Sequence, residues 1–211
     1  MRSGLVLGWP LVECSRASMS LIVSGDRRRF AIESQITEVK EKLNFLGLGF
    51  FVLHINGVQY GVREPDATML ACSYDEVERR IARRGSHVAP NLASAKSDVL
   101  ARAVFLSIYG EPPDESPLIG DLSSTRIERE VYDNKILWAP DGDEAFDDSS
   151  KVLQFDIADR VRLVGFKTDE DLPRLVTDVS MESDAFYAIL DDWLTKFNSS
   201  RHALLQQQRG H

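Results

Sequence analysis

The sequence is short of the residues that mark most specialised proteins. Its 211 residues contain two cysteines, Cys14 and Cys72, which excludes a disulfide framework and a metal-spaced thiol pair and makes a reducing compartment the simplest setting. The four histidines, His54, His87, His202 and His211, are not spaced with a second ligand or a nucleophile, so neither a metal centre nor a catalytic triad can be drawn from them. No apolar run approaches the ~18 residues that cross a bilayer as a helix. Glycine is not arranged to cradle phosphate: Gly47-Leu48-Gly49 has no third glycine and no helix start behind it, and a Gly-x-Ser-x-Gly elbow is missing. Bases are in deficit as well. Twenty-five Lys and Arg against 33 Asp and Glu leave a formal charge of −8, which argues against broad nucleic-acid binding, since phosphates require a positive field.

What remains is the composition of an ordinary globular protein, 43% hydrophobic and 27% charged, with enough chain for one domain and a sizeable core. Residues 1–18 stand apart. Gly4 to Val12 is apolar behind Arg2 and faintly resembles a secretory signal, but Gly8 and Pro10 break the run, and Glu13 before Cys14 spoils a lipoprotein processing site. The expectation is a disordered or loosely attached extension over 1–18, a single domain over 19–198, and a frayed polar tail over 199–211.

Within that domain, Phe30, Ile32, Ser34 and Ile36 alternate with Ala31, Glu33 and Gln35, the period of a half-buried strand. Phe50 to Ile55 and Val58 to Tyr60 flank Asn56-Gly57, a pair that tolerates the positive φ values of a tight hairpin turn. A helix is expected from Ser73, with Ser73 and Glu76 as a capping box, Cys72 as a small buried residue, Val77 and Ile81 facing inward, and Gly85 ending it. Arg79, Arg80, Arg83 and Arg84 fit a solvated face. A second helix is expected over about 94–109, burying Val99, Leu100, Ala103, Val104 and Ile108, before a surface loop over 111–124. Extended structure resumes at Ile136 to Trp138. Strands over 152–157 and 161–166 form a hairpin, another extended piece covers 174–179, and a last helix over 183–197 carries an apolar stripe from Phe186 to Phe197. Strands, helices, strands and a helix in that order predict an α+β fold: mostly antiparallel sheet with about three helices packed on one side.

One segment is charged beyond its surroundings. Asp141, Asp143, Glu144, Asp147, Asp148, Asp156 and Asp159 lie within 19 residues, opposed by Lys151 alone. Four readings apply: a solvated loop, a calcium loop, a carboxylate pair for hydrolysis, and a docking surface for a basic protein. The calcium reading suffers because Gly142 comes too early and Ala145 and Phe146 interrupt the ligand series. A metal-dependent hydrolase using 141–159 is the enzymatic alternative, and a structural or regulatory binding module is a third.

The order of several short blocks resembles one family. Gly25-Asp26 with Phe30-Ala31-Ile32-Glu33, and Ile55-Asn56-Gly57 with Tyr60-Gly61, are similar to the opening of immunity protein 42, a family of bacterial polymorphic-toxin antidotes. Glu144 to Ser149, Val152 to Asp156 and Arg160 to Leu163 resemble its central block, and Phe186-Tyr187, Ile189-Leu190 and Trp193 its closing helix. The resemblance spans Met19 to Phe197 and departs at Val62-Arg63, where an acidic residue is expected. It implies a cytoplasmic protein that is not an enzyme, needs no cofactor or metal, and neutralises a cognate toxin domain by binding it. That toxin is expected to be basic, with nucleases among the candidates; nucleic acid and membrane are not expected partners, and the oligomeric state stays open. Asp143, Glu144, Asp147 and Asp148 are the expected contacts, with Asp156 supporting their loop and Trp138 or Tyr187 as aromatic anchors or, alternatively, core residues.

Overall fold

The computed structural model describes residues 21–42, 46–110, 116–138, 143–169 and 172–210. The 1–18 extension, Asp141 and the first part of the loop over 111–124 fall outside them. Among the described residues the architecture is α+β, and every strand pairing is antiparallel. The strands form two sheets rather than one, and five α-helices are present rather than about three.

The first sheet runs β1 (Leu21–Asp26), β2 (Phe30–Val39), β3 (Gly47–Ile55), β4 (Val58–Tyr60), with β5 (Thr68–Met69) added beside β3. Asn56 and Gly57 take φ of 50° and 83°, the left-handed pair that the β3–β4 turn requires. β2 is not half-buried as expected: Phe30 through Ser34 are buried on both faces. One face meets α5 (Ser183–Arg209), where Phe186 lies 5.0 Å from Phe30 and Trp193 5.2 Å from Phe51. The other face carries Glu33, treated below.

Helix α1 (Leu70–Ala82) begins a turn earlier than the capping box implied. β5 pairs Met69 with Leu48, which holds Met69 extended and makes Leu70 the first helical residue. Ser73 is therefore inside the helix, Cys72 is exposed rather than buried, and Arg80 is interior rather than solvated. α3 (Ser97–Ile108) is the expected second helix, preceded by a short α2 (Pro90–Ala93) that was not expected, and Val99, 42% exposed, lies off the buried face formed by Leu100, Ala101 and Val104. α4 (Ser124–Asp133) was not legible, because Ile127 and Val131 are its only buried residues. α5 continues past Phe197 to Arg209, where a frayed tail was expected. Arg201 holds that extension to the carbonyls of Leu46 and Lys40, and Leu204 and Leu205 pack on the core.

The second sheet comprises β6 (Ser150–Ile157), β7 (Arg160–Asp169) and β8 (Leu172–Glu182). Period-two alternation sends Val152, Val161 and Leu163 into a core shared with the first sheet, α1 and α5. It sends Leu153, Phe155, Val164 and Phe166 into a second core under α2, α3 and α4. Segment 136–138 lies beside β6, its Trp138 amide donating to the Val152 carbonyl at 2.8 Å.

Tyr60 joins the sheets. It leaves β4, crosses the face of Gly165 and donates its hydroxyl to the Leu175 carbonyl at 2.6 Å, with Thr177 Oγ1 at 2.7 Å. A Cβ on Gly165 would sit 2.5 Å from the Tyr60 ring, so glycine is required there for close approach, not for its φ. Burial pushes the Tyr60 hydroxyl up to about 12. Gly165→Ala is expected to destabilise by ~1–3 kcal/mol through overpacking, measured by urea unfolding; Gly165→Ala with Tyr60→Leu should recover part of the loss.

Candidate functional site

The acidic segment is a turn whose apolar residues are its anchors. Asp143 opens it by accepting the Ala145 amide at 3.0 Å, capping a single 3-10 turn over Glu144–Phe146. Ala145 and Phe146, which interrupt any calcium-ligand series, are buried: Phe146 sits edge-on to Phe51 at 6.5 Å, and the Ala145 carbonyl accepts the Val62 amide at 2.8 Å. At the far end Asp148 accepts the Ser150 amide at 3.1 Å and Lys167 Nζ at 2.5 Å. Glu144 and Asp147 are left exposed. The chain thus spends two carboxylates on fixing the turn and presents two to solvent.

Helix α1 enlarges the acidic surface. Burial, together with the charges of Glu76, Glu144 and Asp147, raises the Asp143 carboxyl above its ordinary range despite its amide bond. The Cys72 thiol is also pushed up, by partial burial and by Asp143, Asp75 and Glu144. Asp75 is therefore part of this negative surface, a membership hidden in the sequence by the distance between positions 75 and 143.

Asp156 does not support the turn. It stands at the other end of β6, inside a polar network, where its carboxylate accepts the Tyr187 hydroxyl at 3.0 Å and the His87 amide at 3.2 Å. Gln154 links that pair to Arg80, donating to the Tyr187 hydroxyl at 3.0 Å and accepting from Arg80 Nη1 at 3.1 Å. Arg80, 1% exposed, also donates to Glu76 and to the Leu137 carbonyl and lies 4.6 Å over the Trp138 ring. Trp138 and Tyr187 are both buried in this region. They are core residues, and the reading of either as an interface anchor is set aside.

A second charged constellation was missed in the sequence. Glu33, 3% exposed on β2, accepts from Arg27 Nε and Arg63 Nε at 2.8 Å each and from His54 Nε2 at 2.9 Å. Burial works to raise Glu33, but the hydrogen bonds of Arg63 and His54 and the charges of both arginines outweigh it and hold the carboxyl below its ordinary range. Burial lowers His54 in turn, against the pull of Glu33, so a neutral imidazole donates to an ionised carboxylate. The only sequence signal was a charged residue on an otherwise buried strand.

Among the described residues no group of three or more His, Cys, Asp or Glu is placed to hold a metal ion, and no helix is long and apolar enough to cross a membrane. The hydrolase alternative gains no support from this geometry.

The fold defines a class before it defines a family. A crystal structure of CdiI from Burkholderia dolosa AUO158 has a similar fold, with a TM-score of 0.53 and 13% identity over 83% of this chain and 99% of that one. The family model described as immunity protein 42 matches residues 19–196, and the chain belongs to that family of immunity proteins. No curated protein matches the sequence significantly.

Two measurements check these networks. Arg80→Ala leaves Glu76 and Gln154 without their buried partner and is expected to cost ~3–5 kcal/mol, read by urea unfolding. Burial also lowers His87, aided by the charge of Arg80 and opposed by Asp156, and its Nε2 has no partner among the described residues. His54 and His87 thus stay neutral in the fold at pH values where the unfolded chain takes up protons. Their contribution is full above about pH 6.5 and declines as pH falls below it. Unfolding free energy should drop between pH 7.5 and 5.5, and the double variant His54→Gln, His87→Gln should flatten that slope.

Proposed function

We propose that this immunity protein neutralises a basic toxin domain by direct contact through the acidic turn, in the cytoplasm of the cell that makes both, in the setting of contact-dependent competition. The observation that carries the reading is the way the turn is held. Buried Ala145 and Phe146 and the Asp148–Lys167 pair fix its backbone, while Glu144 and Asp147 are left exposed on it. A charged surface held rigid before contact loses little entropy on binding and speeds encounter with a partner of opposite sign. Asp143 and Asp148 border the contact and set its geometry. Asp156 acts inside the fold and not at the interface. The protein works by occupancy rather than turnover, and toxins that act on nucleic acids fit best, because their clefts carry the positive charge that this surface matches.

The test is co-expression with candidate toxin domains, above all the C-terminal domain of any large secreted protein whose gene adjoins this one, scored by survival, together with association kinetics on the purified pair that shows protection. Glu144→Gln with Asp147→Asn should slow association by about tenfold at low salt and little at high salt. An association rate unaltered by both substitutions removes the acidic turn from the interface.

A further inference from the structure

The acidic turn adjoins a second charged constellation through the 61–63 segment. Val62, whose amide is bonded to the Ala145 carbonyl, is followed directly by Arg63, and Arg63 reaches over Phe50 at 5.2 Å to the buried Glu33. Arg27 arrives at the other Glu33 oxygen from the β1–β2 turn, which the Gly57 amide ties to the β3–β4 turn at 3.0 Å. Both arginines are about half exposed, 48% for Arg27 and 49% for Arg63. Each bonds Glu33 through Nε, and no partner is recorded for its terminal nitrogens among the described residues. Arginine–carboxylate pairs are frequently bidentate, but Glu33 is shared by two arginines and His54 and has one oxygen for each guanidinium. Here Nε holds each side chain, and the four N–H groups of each outer end are left to meet something else.

We infer that Arg27 and Arg63 form a preset two-pronged receptor for a carboxylate on the toxin, with Glu33 as the positioning residue that aims them. This deepens the proposal of direct toxin binding and rests on it. The toxin's docking surface is then bipolar, carrying bases opposite Glu144 and Asp147 and an acidic side chain opposite the arginine pair. Such a pattern fixes orientation, because a rotated toxin would set like charges against each other. A nucleic-acid phosphate fits this receptor less well, since the chain carries −8 overall and repels a polyanion.

The test is the double variant Arg27→Lys, Arg63→Lys, titrated calorimetrically with the toxin domain against which the protein protects in the co-expression test. Lysine keeps the charge and the ion pair to Glu33 but has no second donor face to offer a partner. A structural role alone leaves affinity unchanged, whereas the receptor role weakens it by about tenfold or more with the thermal midpoint within a few degrees of wild type. Should the lysine variant fold poorly, the triple variant Arg27→Gln, Glu33→Gln, Arg63→Gln removes the buried charge along with its partners and is judged by the same criterion. Unchanged affinity in a folded variant overturns the inference. If Glu144→Gln with Asp147→Asn weakens binding in the same experiment, the acidic-turn proposal survives that failure. A single-stranded oligonucleotide that binds wild type and not the lysine variant also overturns it, since the receptor would then be a phosphate site.

Discussion

The fold depends on a guanidinium placed where water cannot reach it. Arg80 lies where α1, β6, segment 136–138 and α5 converge, and its charge is answered on every side by Glu76, Gln154, the Leu137 carbonyl and the Trp138 ring. Moving a charge out of water costs several kcal/mol, and only a full set of partners makes that burial tolerable. The partners come from elements far apart in the chain, so they are satisfied together only when α1, β6 and segment 136–138 are docked. Gln154 and Tyr187 extend the same chain of bonds to Asp156 and the His87 amide. An arrangement of this kind specifies one packing against others, in a way that apolar contacts alone do less sharply.

The surface follows a different rule from the interior. On the acidic turn, apolar residues anchor and charged residues face out, so the backbone is fixed while the side chains remain free to vary with the toxin. Around Glu33 the same economy recurs with signs reversed: a buried acid holds half-exposed bases. Both constellations meet at the 61–63 segment, through the Val62–Ala145 hydrogen bond and the adjoining Arg63. An antidote must discriminate between toxins that share a general charge, and alternating signs on a stiff frame discriminate better than a single large field.

Much of the frame could be read from the chain because it is local. Asn56-Gly57 announces its hairpin by the conformations those residues tolerate, β6 and β7 by alternation, and α5 by a stripe that returns every three or four residues. Helix α4 escaped because Ile127 and Val131 are too few to draw a period, and the far turns of α5 escaped because Leu204 and Leu205 are equally few and Arg201 is held by distant carbonyls. The joining of two separate sheets was not legible either, since it is made by Tyr60 meeting Gly165 across more than a hundred residues. The site was legible as charge but not as geometry. Charge density singled out Glu144 and Asp147, which the turn leaves exposed, yet the same reading placed Asp156 beside them when that residue faces the interior. Glu33 and Arg80 looked like ordinary surface charges, because their partners Arg63 and Gln154 lie 30 and 74 residues away.

The central claim is that the toxin lands on the 143–149 turn and the adjoining 61–63 segment. Amide hydrogen exchange of this protein, free and saturated with its toxin domain, tests it without any substitution. The account predicts new protection concentrated at residues 143–149 and 61–63, with helix α4 unchanged on the far core. Protection confined to α3 and α4, with the acidic turn exchanging as in the free protein, would contradict it.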